Sequence, residues 1–246
     1  MYTKKGLQDE EMDSIDTRGD GRLTNPEELD DSAFERMDDF FTARVENYDA
    51  HMNKMEDCAN GYPLMAGMLP VGASDLLDLG CGTGLELEEI YKIHPNIHVT
   101  GIDLTAAMLD KLRAKFPGNP LTLINDSYFN VDFGQEAFDV AISFQTMHHF
   151  PREQKLGLYE RLHRALRPGG RYVECDYMVT DQALEDQYFA ENTRMRAELG
   201  VAPGEFYHYD TPMTVDNQIT VLQEAGFVKV WMEWRQANTT IVVAEK

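Results

Sequence analysis

Residues 75–86 read DLLDLGCGTGLE, and the fold follows from how this stretch changes character. A short apolar run, Leu76, Leu77 and Leu79, is cut off by glycines at alternate positions, Gly80, Gly82 and Gly84. Leu85, Leu87 and Ile90 then recur at helical spacing among Glu86, Glu88 and Glu89. A buried strand therefore feeds a tight turn that opens a helix, the arrangement by which α/β folds hold nucleotide-like cofactors. Glycine admits positive φ and lets a ligand approach bare backbone, and unpaired amides are expected at the helix start.

The spacing narrows the ligand. A dinucleotide fingerprint would read G-x-G-x-x-G around a pyrophosphate. Here the run is G-x-G-x-G with Asp78 two residues before it, an acid that repels phosphate and suits an ammonium group. Nineteen residues beyond Gly84, HVTGIDL closes a second apolar run on Asp103, placed for a ribose diol. Ammonium and ribose without pyrophosphate point to S-adenosylmethionine rather than NAD.

On these residues the chain resembles the class I S-adenosylmethionine-dependent methyltransferases. Further segments match that family in order: LTLINDSYF (121–129), FDVAISFQTMHHF (138–150), LRPGGRYVECDY (166–177) and AGF (225–227). The resemblance runs from about residue 32 to 246. It implies an α/β, doubly wound, Rossmann-like seven-stranded sheet of order 3-2-1-4-5-7-6 with the last strand antiparallel. It also implies helical lid segments, near 32–69 and 181–213. Alternation in the sequence places strands near 75–79, 98–103, 121–125, 138–144 and 170–176, and helices near 85–93, 105–116 and 152–167. FVKVWMEWRQ (227–236) and NTTIVVAEK (238–246) form a terminal hairpin.

The resemblance implies a cofactor site on Asp78, Gly80, Cys81, Gly82 and Gly84, with Asp103 on the ribose. Leu104 and Met108 would pack on the adenine, Asp126 and Ser127 would meet its polar edge, and Gln145 the methionine carboxylate or sugar. Arg44 and Tyr48 correspond to a lid helix over the cofactor. His148, His149, Tyr177 and His208 are the catalytic candidates, a general base or a structural hydrogen-bond set; Tyr207 and Tyr209, with His208, are either further acceptor contacts or a lid packing on itself. A catechol-type metal site needs clustered carboxylates with an Asn, and Asp176, His208 and Asp210 do not assemble one.

Composition bounds the rest. A chain of 246 residues with 43% hydrophobic content suits one sizeable domain. No apolar run approaches the about 20 residues that span a bilayer. Cys58, Cys81 and Cys175 have no metal-like spacing. With no apolar core near Met1 for a signal peptide, the expected location is cytoplasmic. The net charge is −21, and residues 1–60 carry 17 acidic against 7 basic side chains. Such a surface repels phosphate backbones, so the expected partner is a small-molecule methyl acceptor, with no nucleic acid, no membrane, and a monomer or homodimer.

Residues 1–31 form an acidic extension ahead of the 32–246 domain. IDTRGDGRLTNPEEL there resembles an EF-hand loop, with Asp16, Asp20, Arg22 and Glu27 as candidate calcium residues, although Arg18 stands at a ligand position. Two functions follow: a methyltransferase acting on an O, N or C nucleophile of a small molecule, or a non-catalytic S-adenosylmethionine-binding regulatory module, calcium-tuned at this loop.

Overall fold

The computed structural model describes residues 34–202 and 204–246; the calcium-loop candidates Asp16, Asp20, Arg22 and Glu27 lie outside them. Two helices, α1 (Met37–Lys54) and α2 (Glu56–Gly67), precede β1 (Asp75–Leu79). Strand and helix then alternate through α3 (Leu85–Ile93), β2 (His98–Asp103), α4 (Ala106–Lys115), β3 (Leu121–Asn125), β4 (Phe138–Phe144), α5 (Arg152–Ala165) and β5 (Leu166–Tyr177). The chain ends with α6 (Gln182–Glu198), α7 (Val215–Glu224), β6 (Lys229–Gln236) and β7 (Thr239–Glu245).

The seven strands lie in the order β3-β2-β1-β4-β5-β7-β6, and β7 alone runs antiparallel. Parallel sheets bury both faces, which explains why β1 is apolar at consecutive rather than alternate positions. Leu76 packs on one face with Cys58, Met65, Leu87 and Ile90, beneath α2 and α3. Leu77 packs on the other with Tyr159, Leu162, Val221 and Leu222, beneath α5 and α7. Both leucines are 1% exposed or less, so either is worth about 1.5–3 kcal/mol of burial.

Two boundaries differ from the sequence reading. Strand β5 begins at Leu166, four residues before the expected start, because Pro168–Gly170 is taken up as an irregularity where the β4 register shifts between Phe138 and Val140. Thr105 stands at the N-cap of α4, but its hydroxyl caps nothing; the Asp103 carboxylate takes the Thr105 amide at 2.8 Å instead.

Sheet order reverses between β1 and β4, so the loops leaving β1, β2 and β4 open one crevice at the carboxyl edge. The crevice is roofed by α1 and the loop after α6. Arg36 and Tyr207 pair as an antiparallel bridge, with Met37 N–H donating to Phe206 (3.0 Å) and His208 N–H to Glu35 (2.8 Å). The rings of Phe40 and His208 stack at 3.5 Å. Among the described residues, no helix is long and apolar enough to cross a membrane.

Candidate cofactor and acceptor site

Gly80, Gly82 and Gly84 all hold positive φ, but for different reasons. A Cβ on Gly80 would lie 2.6 Å from Thr146 Oγ1, and one on Gly84 would meet Leu112 and Phe116 at 3.1 Å. Gly82 alone faces open space: its nearest neighbours would be the Gly80 carbonyl (3.9 Å) and the Tyr48 ring (4.0 Å). Gly82 is thus the point where a ligand can reach the main chain.

The turn does not offer the free amides expected from its sequence. Gly80 and Cys81 donate to the Ile102 carbonyl (2.8 and 3.2 Å), Gly84 to Cys81 (2.8 Å), and Gly82 to Asp103 Oδ2 (2.9 Å). Those donors are consumed, which disfavours a pyrophosphate and leaves acceptors for a cation. Three acids add to this. Burial lifts the Asp103 carboxyl to about 6, against the restraint of the Thr105 and Gly82 amides. Burial also lifts Glu86 to about 7, and burial with Glu86 beside it pushes Asp78 well above the carboxylate range. The Asp78 and Glu86 carboxyls share a hydrogen bond beneath the turn, while Asp78 Oδ2 and Glu86 Oε1 have no further partner. Glu86 carried no signal in the sequence, where the LELEE run reads as a solvated face.

The crevice holds two adjoining cavities. One, of about 580 Å³, is lined by Gly80, Gly82, Asp103, Leu104, Met108, Ser127, Gln145 and Phe206, among others. The second, of about 610 Å³, is lined by Phe40, Arg44, Met52, Met55, His148, His149, Tyr177, His208 and Asp210. Phe41, Tyr48 and Gln145 line both and form the boundary. Gln145 is held at φ 50°, with its amide donating to Thr239 Oγ1 at 3.1 Å.

Most expected cofactor residues converge on the first cavity, but five do not line it. Gly84 packs on α4, Cys81 is buried against Gly101, and Asp78 lies under the turn. Asp126 caps its own loop, accepting from Ser127 N (2.7 Å) and Asn130 Nδ2 (3.0 Å). Arg44 lies over the Phe40 ring at 3.6 Å and lines the second cavity.

That second cavity gathers the catalytic candidates. His148 Nδ1 meets Asp176 Oδ1, while its Nε2 lies 3.4 Å from Asp210 Oδ1. Burial alone would lower His148, but Asp176 and Asp210 outweigh it and push the imidazole up to about 9. Burial, then the neighbouring His148 and His208, drive His149 well below the usual histidine range. Tyr177 donates or accepts with Tyr188 at 3.0 Å. Tyr207 stacks on Phe34 in the roof (5.0 Å) and Tyr209 lies tilted against it (5.9 Å); neither lines either cavity.

The roof is tied to the turn by one polar cluster. Thr83 Oγ1 donates to Asp49 at 2.5 Å, and Lys115 bridges Asp49 (2.7 Å) from α4. Lys111 adds a bond to the Val45 carbonyl at 2.6 Å. Asp49→Ala should loosen α1 over the first cavity and speed ligand release about three- to tenfold, a loss of about 0.7–1.4 kcal/mol. Stopped-flow displacement measures this; an unchanged release rate would show that the cluster does not hold the roof.

Residues 76–170 match a family model described as a methyltransferase domain. Over 156 residues the chain is 25% identical to sterol 24-C-methyltransferase ERG6B of Gibberella zeae, covering 62% of this chain and 39% of that protein. It is 25% identical over 241 residues to the arsenite methyltransferase of Halobacterium salinarum, covering 93% of this chain and 55% of the relative. The chain spans 39–43% of the length of three sterol methyltransferases that it matches. Human N-acetylserotonin methyltransferase in complex with SAM superposes with a TM-score of 0.63 at 15% identity, covering 91% of this chain and 60% of that one. The DhpI–SAH complex gives 0.63 at 17% identity, covering 84% and 93%. At these identities the structural likeness establishes the fold.

Proposed function

We propose, from the membership of this chain in the class I S-adenosylmethionine-dependent methyltransferases, that it methylates a small molecule seated between α1 and the histidines. The observation that carries the reading is the pair of cavities meeting at Phe41, Tyr48 and Gln145, one floored by the glycine turn and Asp103.

The residues of the first cavity suit the donor. Asp103 is an acceptor-only group aimed at a diol, Gly82 and the Gly80 carbonyl leave room for an aminoacyl tail, and Leu104 and Met108 offer an apolar bed for a base. A donor held there would supply an electrophilic methyl to the acceptor's lone pair, its C–S electron pair staying on sulfur as the thioether leaves, and an O–H or N–H acceptor would give up its proton to bulk solvent as product departs. This chain's part is alignment and exclusion of water. Gln145 and the Tyr48 ring set where the two ligands meet, and Phe40, Phe41, Met52 and Met55 give the second cavity an apolar wall around a polar floor. That mixture fits a compact acceptor with one polar, reacting end.

Calorimetry with S-adenosylmethionine, followed by S-adenosylhomocysteine release over a panel of hydroxylated and amino small molecules, tests the proposal. Saturable binding with turnover on a member of the panel is expected. Tight binding with no turnover on any acceptor would overturn the catalytic reading in favour of a regulatory module.

A further inference from the structure

His148 and His149 belong to the short turn Met147–His149 after β4, and Asp210 to the roof loop after α6. The fold brings these distant segments together tightly: Thr211 donates to the His148 carbonyl through both its amide (2.6 Å) and its hydroxyl (2.8 Å). Asp210 Oδ1 then lies 3.4 Å from His148 Nε2 and 3.6 Å from His149 Nδ1, and one donor atom from each residue falls within 4.8 Å of the others.

Three features distinguish this cluster from an ordinary buried ion pair. Donors held about 2 Å from a tetrahedral ion sit about 3.3 Å apart, close to both Asp210 spacings. His149 has a side chain only 3% exposed, and its Nδ1 makes no hydrogen bond. Burying a nitrogen without a partner is unfavourable, and a bound ion would satisfy it. Behind His148, Asp176 Oδ1 takes Nδ1, while Asp176 Oδ2 is fixed by the amides of Met147 (2.7 Å) and His148 (3.0 Å). A carboxylate so placed fixes the tautomer and turns the other imidazole nitrogen forward as a ligand.

We propose that His148, His149 and Asp210 bind a divalent first-row transition ion whose open positions face the second cavity. Two imidazoles and one carboxylate suit zinc or iron(II) and not the all-oxygen shells of calcium or magnesium. Asp176 and Asp210 supply the negative charge that retains it. An acceptor with an oxygen anion or a chelating hydroxyl would occupy the open positions; this last point rests on the methyl-transfer reading, whereas the ion site does not.

The full chain, stripped with a chelator, is titrated with Co(II) alone and followed by visible absorption. One equivalent is expected, with d–d bands of a nitrogen- and oxygen-ligated ion that added Zn(II) abolishes. Asp210→Ala and the conservative His149→Gln should each weaken Co(II) affinity at least tenfold while keeping the metal-free melting temperature; if Asp210→Ala does not fold, His149→Gln decides. Asp16→Ala should leave the spectrum unchanged, which separates this site from the N-terminal loop. Asp103→Ala should keep Co(II) while losing the donor, which separates it from the cofactor site. Absence of saturable binding near one equivalent, or binding that survives His149→Gln at full affinity, would overturn the proposal.

Discussion

Asp103→Ala is expected to weaken S-adenosylmethionine binding about 100-fold by calorimetry, a loss of about 2.7 kcal/mol. Hydrogen bonds to a charged group contribute about 1.5–3 kcal/mol each, and this carboxylate serves both ligand and protein. Its Oδ2 holds the Gly82 amide and its Oδ1 the Thr105 amide, so removal also releases the turn at Gly82. A pH dependence follows from the same group. The ionised carboxylate accepts from both hydroxyls of a diol with a charge assistance that the neutral acid lacks, and burial pushes the Asp103 carboxyl up to about 6. Affinity should therefore fall as pH drops through 6, by up to tenfold per unit, as binding displaces a proton. Asp103→Asn should bind more weakly and with a shallower pH profile. Wild-type affinity in the variant would remove Asp103 from the site.

The second large effect lies away from the site. Glu174, wholly buried in β5, accepts at Oε2 from Tyr159 (2.7 Å), Tyr172 (2.9 Å) and Gln218 (3.0 Å), while buried Lys155 donates to Gln218 at 3.3 Å. This network joins β5, α5 and α7 through the sheet face opposite α2 and α3. Glu174→Ala removes the one acceptor shared by Tyr159, Tyr172 and Gln218 and the charge that faces Lys155, leaving Tyr172 its contact with Ser143 (2.7 Å) and Gln218 its contact with Tyr159 (2.7 Å), and should destabilise the fold by about 3–5 kcal/mol. In a chain of this size the melting temperature should fall by roughly 10 °C. Burial, then Asp176, lifts the Glu174 carboxyl from 4.5 to about 7. A carboxyl raised on folding favours the native state below its unfolded value, and that contribution is lost as pH rises through 7. Stability should thus decline between about pH 4.5 and 7 through this group. Glu174→Gln, which keeps a neutral donor and acceptor, should flatten the decline. Chemical denaturation at pH 5 and pH 8 measures both variants; a Glu174→Ala protein as stable as wild type would refute the network's role.

The sheet was legible because each strand is a short apolar run closed by a breaker. Leu76–Leu79 stops at Gly80, and the β2 run stops at Asp103, where chemistry and chain direction change together. The first cavity was legible for the same reason: Gly82, Asp103 and Gln145 all sit at strand ends whose order the topology dictates. What failed to show was any property set by three-dimensional convergence. The amides of the turn read as free, but the Ile102 carbonyl and Asp103, from the neighbouring strand, consume them. Asp126 is expected at the adenine's polar edge or as a loop cap, and its Oδ1 accepts from Ser127 N and Asn130 Nδ2 within its own loop. The meeting of Asp210 with His148 and His149 depends on Thr211 reaching the His148 carbonyl, which no local pattern encodes. Likewise Glu86 is buried in the first turn of α3, the helix that packs on α2.

A crystal structure with S-adenosylhomocysteine tests the central claim most directly. The ribose hydroxyls should lie on the Asp103 carboxylate, the aminoacyl tail should run over Gly82, and the sulfur should point past Tyr48 and Gln145 toward the histidines. A ligand bound elsewhere, or a glycine turn closed over and filled by protein side chains, would contradict the account.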